Sequence, residues 1–231
     1  CLLARVALAK QLMSRIEYQW GPLGDDMSAY KSCGLVIEAI VEDLDAKQAL
    51  FRGLEGSVAR DAVLATNTSS LSVASIASAC EVPERVIGIH FFNPPPLMPL
   101  VEVILGEKTS EETLARSLDF VKAIGKTPVV VKDGRGFFTS RVFSTYLVEG
   151  VAMLTEGVAP ALIDNAGRLA GMPMGSLTVA DMVNLDLSHK IRLQTKADLG
   201  DKYVEHPADR VIDTMVERGR YGQKNNSGFF D

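Results

Sequence analysis

From Leu35 to Val131 short continuous apolar runs recur along the chain: LVIEAI, AVLAT, VIGIHFF, LVEVIL and PVVV. Runs of this length without polar alternation mark strands buried on both faces of a sheet. Helical patterns lie between several of them. After Glu42 the apolar positions are Leu44, Ala46, Leu50, Phe51 and Leu54, and after Thr109 they are Leu114, Leu118 and Val121, each set spaced as one helix face. Alternating strand and helix predicts an α/β layer. Thr109 and Glu112 have the spacing of a capping box for the second helix, and Gly125 stands at its expected stop. Past Lys132 the strand pattern ends and GRGFFTSRVFSTYLVEGVAML opens a run of helices, with Pro160 and Pro207 near two later N-termini. The chain is therefore expected to divide into residues 1–132, α/β, and residues 133–231, all helical. A short hinge would join two packed domains that share a cleft.

Composition narrows the function. With 231 residues, 47% hydrophobic and 23% charged, the chain has the balance of a globular protein able to bury a core. A net charge of −5 with both signs interspersed offers no basic patch and argues against a nucleic-acid partner. Cys1, Cys33 and Cys80 are far apart and suggest neither a disulfide framework nor a metal site. A cytoplasmic location, or another reducing compartment such as the mitochondrial matrix, is expected. No apolar run approaches the roughly 20 residues that cross a bilayer, and CLLARVALAKQLMSR has helical spacing rather than the form of a signal peptide.

The chemistry concentrates in a few segments. GIHFFNPPPLMPLVEVI places His90 at the end of one apolar strand and Glu102 in the next, twelve residues later. A carboxylate beside a histidine fixes its tautomer and favours the imidazolium, which suits proton removal from a hydroxyl, with His90 as base and Glu102 as its orienting partner. Spacing alone does not establish contact, and a hydrogen-bonded core histidine with a solvated strand-end glutamate accounts for the same residues. Asn93 and Pro94 to Pro96 predict an extended, rigid turn beside the histidine. TNTSS, residues 66–70, follows a buried strand where parallel sheets meet ligands. Asn67 and Ser69 either hydrogen-bond a ligand there or cap the next helix. Glu38, inside an apolar run, is expected near a strand end or hydrogen-bonded, whereas Lys47 reads as a solvated helical charge. No GxGxxG occurs, and Gly134, Gly136, Gly171, Gly175, Gly219 and Gly222 fall at boundaries or turns. Met172 and Met174, around Pro173, read as packing residues.

VIEAIVED, ATNTSSLS, GIHFFNPPPLMPLVEVI, KDGRGFFTSR, AGMPMG and GRYGQKNNSGFF follow one another in an order that resembles the L-3-hydroxyacyl-CoA dehydrogenase family, from about Ile16 to Phe230. HFFNP followed by the glutamate of VEVI is the most specific part. The resemblance implies the C-terminal part of a Rossmann-type NAD-binding domain followed by an all-helical substrate and dimerisation domain. It implies oxidation of an L-3-hydroxyacyl-CoA to the 3-oxoacyl-CoA with NAD, His90 taking the hydroxyl proton and Glu102 orienting it. Ser69 would lie near the substrate oxygen and nicotinamide, Asn67 and Asn93 would line the nicotinamide pocket, and Ala39, Glu42 and Lys47 would approach the ribose and phosphates. Ser140 stands where the family has an asparagine that helps hold substrate. Ser176 replaces a helix-starting proline, a change expected to be structural because serine caps helices, and Asp181 keeps the family's acid. A homodimer through the helical domain and an acyl-CoA partner are implied too. Family members open with a strand, a GxGxxG turn and a helix that bind the pyrophosphate, which this chain is expected to lack. That leaves a second expectation, a catalytically incomplete dimerisation or acyl-CoA-binding module. The resemblance covers single enzymes and the dehydrogenase part of multifunctional fatty-acid oxidation proteins alike.

Overall fold

The computed structural model describes residue 27 and residues 30–230, in two compact units divided between Gly134 and Arg135. The helical spacing expected near the start of the chain, and Cys1, lie outside the described residues.

In the first unit the five apolar runs form β1 (Leu35–Glu38), β2 (Val63–Thr66), β3 (Val86–Phe91), β4 (Leu100–Leu105) and β5 (Thr127–Lys132), one sheet in that order. Helices α1 (Leu44–Ser57), α2 (Val73–Ala77) and α3 (Glu111–Ala123) lie in the crossovers. Accordingly β1, β2 and β3 are mutually parallel, as are β4 and β5. Residues 92–99, between β3 and β4, are too few for a crossover, and that pair is antiparallel. On one face of the sheet Val63, Ala65, Ile87, Ile89, Val101 and Val103 pack against Leu114, Leu118 and Val121 of α3. Each such side chain, fully buried, contributes about 1.5–3 kcal/mol. Helix α1 buries Leu50, Phe51 and Leu54, and Asp43 caps it by accepting a hydrogen bond from the Ala46 amide at 2.8 Å.

The boundaries of α3 differ from the sequence expectation at one end. Gly125, at φ +76°, stops it as predicted, with the Lys126 amide donating to the Val121 carbonyl at 3.1 Å. Its N-cap, however, is Ser110, which accepts from the Thr113 amide at 3.2 Å. The Thr109 hydroxyl instead donates to the Val86 carbonyl at 2.6 Å, satisfying a group at the start of β3.

The second unit consists of α4 (Thr139–Ala152), α5 (Pro160–Leu169), α6 (Ser176–Val183), α7 (Leu185–Leu199) and α8 (Pro207–Glu217). Pro160 and Pro207 open their helices as the sequence predicts. Val151, Ile163, Leu177, Ala208 and Ile212 form one core cluster, and Leu147, Val179, Ala180 and Leu185 another. Ser176 does not cap α6. Gly175 is the N-cap and contributes no side-chain hydrogen bond. The amides of Leu177 and Thr178 donate instead to Asp164 of α5, at 2.8 and 3.2 Å. Ser176 is buried against Gly150, where a Cβ would stand 1.9 Å from its hydroxyl oxygen. Asp181 accepts hydrogen bonds from the Phe229 and Phe230 amides, fastening the GRYGQKNNSGFF segment to α6.

Candidate active site

Side chains alternate along a strand, so with Ile87, Ile89, Val101 and Val103 facing α3, the opposite face carries Gly88, His90, Glu102 and Ile104. The antiparallel register sets His90 directly across from Glu102, and Nδ1 of the imidazole lies 2.8 Å from Oε2 of the carboxylate. Glu102 is 0% exposed and His90 7%, which overturns the alternative of a solvated strand-end glutamate. The Phe92 ring packs against the imidazole at 4.7 Å between centroids. Gly88, two residues before His90, is required by packing, because a Cβ there would lie 2.9 Å from Ile104 and 3.0 Å from Val73 of α2.

A second group of polar residues sits at the carboxyl ends of β1 and β2. Glu38 ends β1, and its carboxylate accepts from Lys47 Nζ at 2.5 Å, from the Ile40 amide at 2.7 Å and from the Thr66 hydroxyl at 2.7 Å. Lys47 is 1% exposed, so the solvated helical charge expected from sequence is instead a buried ion pair. Its ammonium also lies 3.4 Å from Oε2 of Glu42. The other oxygen of Glu42 accepts from the Thr68 hydroxyl at 2.5 Å, the Ser69 and Ser70 amides at 3.1 Å each and the Ser70 hydroxyl at 3.0 Å. Burial pushes the Glu42 carboxyl up, but the Thr68 and Ser70 hydrogen bonds and the Lys47 charge together outweigh it and hold the group below its ordinary range.

This lattice fixes the loop after β2 and leaves the side chain of Ser69 exposed. Asn67 does not cap the next helix. Its amide donates to the Glu38 carbonyl at 2.8 Å, and its side-chain oxygen accepts from the Phe91 amide at 2.9 Å, tying the loop to the strand that carries His90. Nor does Ser69 cap it; Ser72 is the N-cap of α2. Ala39 is exposed immediately beyond β1.

Asn93 is exposed in the loop after β3. Rather than running extended, residues 94–98 turn back, the Leu97 and Met98 amides donating to the Pro94 carbonyl at 3.0 and 3.1 Å. Pro95, at the second position of this turn, presets its φ, and Lys126 braces the turn with hydrogen bonds to the Pro95 and Met98 carbonyls at 2.5 and 2.7 Å. Ser140 lies in the first turn of α4, in the second unit. The structure thus brings His90 to Glu102, and Glu42 to both Lys47 and the Ser69 loop. Thr66 and Thr68 belong to the constellation and lie in the TNTSS segment that the sequence singled out, though not among its named candidates, and Lys126 gave no sequence signal. Glu38 and Lys47 gave one, a carboxylate in an apolar run and a lysine on an apolar helix stripe.

The small Ala39, the exposed Ser69 hydroxyl and the Glu42 carboxylate stand where parallel strands meet ligands, and such groups fit the ribose hydroxyls and carboxamide of a dinucleotide's nicotinamide half. Among the described residues no group of three or more His, Cys, Asp or Glu side chains could hold a metal ion, and no helix is long and apolar enough to cross a membrane.

Residues 5–134 match the family model described as 3-hydroxyacyl-CoA dehydrogenase, NAD binding domain, and residues 136–231 match 3-hydroxyacyl-CoA dehydrogenase, C-terminal domain. The fatty acid oxidation complex subunit alpha of Shewanella amazonensis is 40% identical over 200 residues, which is 87% of this chain and 28% of that protein. That of Vibrio campbellii is 39% identical over 207 residues, 90% of this chain and 29% of the relative. The chain thus spans less than a third of the curated relatives it matches. Among solved structures, 3-hydroxybutyryl-CoA dehydrogenase from Escherichia coli superposes with a TM-score of 0.81 at 36% identity, over 89% of this chain and 44% of that one. For (S)-3-hydroxybutyryl-CoA dehydrogenase from Ralstonia eutropha the TM-score is 0.78 at 34% identity, over 89% and 72%. Two family models that together cover nearly the whole chain, with relatives and structures of the same description, place it in the 3-hydroxyacyl-CoA dehydrogenase family.

Proposed function

We propose that the protein containing this chain oxidises L-3-hydroxyacyl-CoA to 3-oxoacyl-CoA, with His90 as general base. The observation that carries the reading is the buried pair of His90 and Glu102, 2.8 Å apart at the end of β3. NAD, when bound, supplies the acceptor for the hydride leaving the carbinol carbon. Because Nδ1 is engaged with Glu102, the hydroxyl proton is taken at Nε2. The buried carboxylate holds the imidazole in the matching tautomer and stabilises the positive charge it gains. Ser69 presents its exposed hydroxyl to the substrate oxygen and the nicotinamide, Asn67 and Asn93 line the carboxamide side, and Ala39 and Glu42 approach the ribose and phosphates, with the buried Lys47 acting on that side through its ion pair with Glu42. Ser140 contributes a substrate hydrogen bond from α4, shorter in reach than the family's asparagine.

In this reading residues 1–132 serve the cofactor, and the helical residues 133–231 serve substrate binding and dimerisation. The exposed apolar side chains Leu187, Ile191 and Leu193 of α7 support a self-association surface. The bacterial sources of the curated relatives support a cytoplasmic setting. Steady-state NADH formation by the full protein tests the assignment. L-3-hydroxybutyryl-CoA and longer homologues are expected to be oxidised, and free 3-hydroxy acids not. Equal turnover of acids lacking CoA would refute the substrate class.

A further inference from the structure

The loop that carries Ser69 is held from two sides. Glu42, from the loop between β1 and α1, receives the Thr68 hydroxyl and the Ser69 and Ser70 amides. At the other end of the same segment Asp133, the residue after β5, accepts through Oδ2 from the Ser72 hydroxyl at 2.7 Å and from the Ala74 amide at 2.8 Å. Sixty-one residues separate Asp133 from Ser72, so this contact is tertiary and was not legible as a cap. The Asp133 amide donates to the Leu105 carbonyl at 3.1 Å, which extends the β4–β5 ladder by one residue and fixes the carboxylate's backbone to the sheet. Its Oδ1 is buried with no hydrogen-bond partner among the described residues. A helix start leaves several amides without partners; Ser72 accepts from the Ser75 amide at 3.2 Å, and Asp133 adds a charged acceptor for the Ala74 amide. A neutral acceptor would satisfy that amide without burying the unmatched oxygen that Asp133 carries.

We infer that Asp133 is a positioning residue for the dehydrogenase reaction, a carboxylate anchored to the sheet that, opposite Glu42, holds residues 68–74 so that the Ser69 hydroxyl keeps one place beside the strand of His90. The inference rests on the proposed role of Ser69 at the substrate oxygen. Asp133 acts through the loop. Losing either anchor frees one end of the segment, and a reacting-group partner displaced by a fraction of an ångström to an ångström loses rate steeply.

The test is a double-mutant cycle in the full protein, with Asp133→Ala and Asp133→Asn each made in wild type and in Ser69→Ala. Turnover of L-3-hydroxybutyryl-CoA and amide hydrogen exchange over residues 68–74 are followed together. Asp133→Ala is expected to lower kcat by about tenfold while changing KM by less than about twofold. It should speed exchange at Ala74 and the Ser69 loop, and should cost less than about twofold in the Ser69→Ala background. Asp133→Asn, which keeps an acceptor, should recover most of the rate. Equal cost in both backgrounds, or unchanged exchange over residues 68–74, would show a general structural role and overturn the inference while the reading of Ser69 stands. If Ser69→Ala alone turns over normally, the reading of Ser69 fails and takes the inference with it.

Discussion

Lys47 completes the stripe of Leu50, Phe51 and Leu54 on α1, and it is there because Glu38 is buried opposite it. Truncating one member of a buried ion pair leaves the other charge in surroundings that cannot solvate it. Lys47→Met is therefore expected to destabilise the first unit by about 3–5 kcal/mol in urea unfolding. A loss below about 1 kcal/mol would mean that the pair behaves like one at the surface. Glu42 gives a pH signature. Its carboxyl titrates lower in the folded chain than in the unfolded one, so its contribution is fully present above the ordinary carboxylate range and is lost as pH falls through the folded value. Protection of the Ser69 and Ser70 amides, corrected for intrinsic exchange, should fall as pH drops below the ordinary carboxylate range, and Glu42→Gln should remove that fall. A pH-independent protection would detach Glu42 from the loop. At this scale the sequence was half legible. His90 and Glu102 stood out because each is polar within an apolar run, but reading Lys47 as solvated weighed its charge above its place at the i, i+3, i+4 and i+7 spacing of a buried face.

At the scale of elements, the five strands, the face of α3, the stop at Gly125 and the starts at Pro160 and Pro207 were all legible, because burial period and backbone restriction are written locally. What was not legible depends on partners distant in sequence. Thr109 surrendered the α3 cap because its hydroxyl is taken by the Val86 carbonyl. Ser176 surrendered the α6 cap because Gly150 leaves it just enough room to pack inward, and Asp164 supplies the hydrogen bonds from another helix. Asp164→Ala should consequently leave the Leu177 and Thr178 amides without their acceptor and cost about 1–2 kcal/mol. Thermal unfolding would show this as a lowered Tm, and an unchanged Tm would mean that the start of α6 is satisfied elsewhere. The antiparallel turn from β3 to β4 is the element-level feature that matters most for function. A loop too short for a crossover forces the reversal, and the reversal places Glu102 across from His90.

At the scale of the whole molecule, family membership rests on models spanning residues 5–134 and 136–231, while the proposed chemistry rests on one cross-strand pair in the first unit. The order of motifs along the sequence was enough to suggest the family, since each motif marks a strand end or a helix boundary that the fold needs. Contact between the two key side chains, in contrast, needed the register of the sheet. The most direct measurement is NADH formation from L-3-hydroxybutyryl-CoA by the full protein carrying His90→Gln, beside wild type and Glu102→Gln, with circular dichroism and Tm confirming the fold of each. Removal of the base should lower kcat by about 10²- to 10⁴-fold. Loss of its charged partner should lower it by roughly 10- to 100-fold, the equivalent of about 1–3 kcal/mol. A folded His90→Gln variant that turns over within about twofold of wild type would contradict the account at its centre, because general-base removal at the reacting hydroxyl cannot be that cheap.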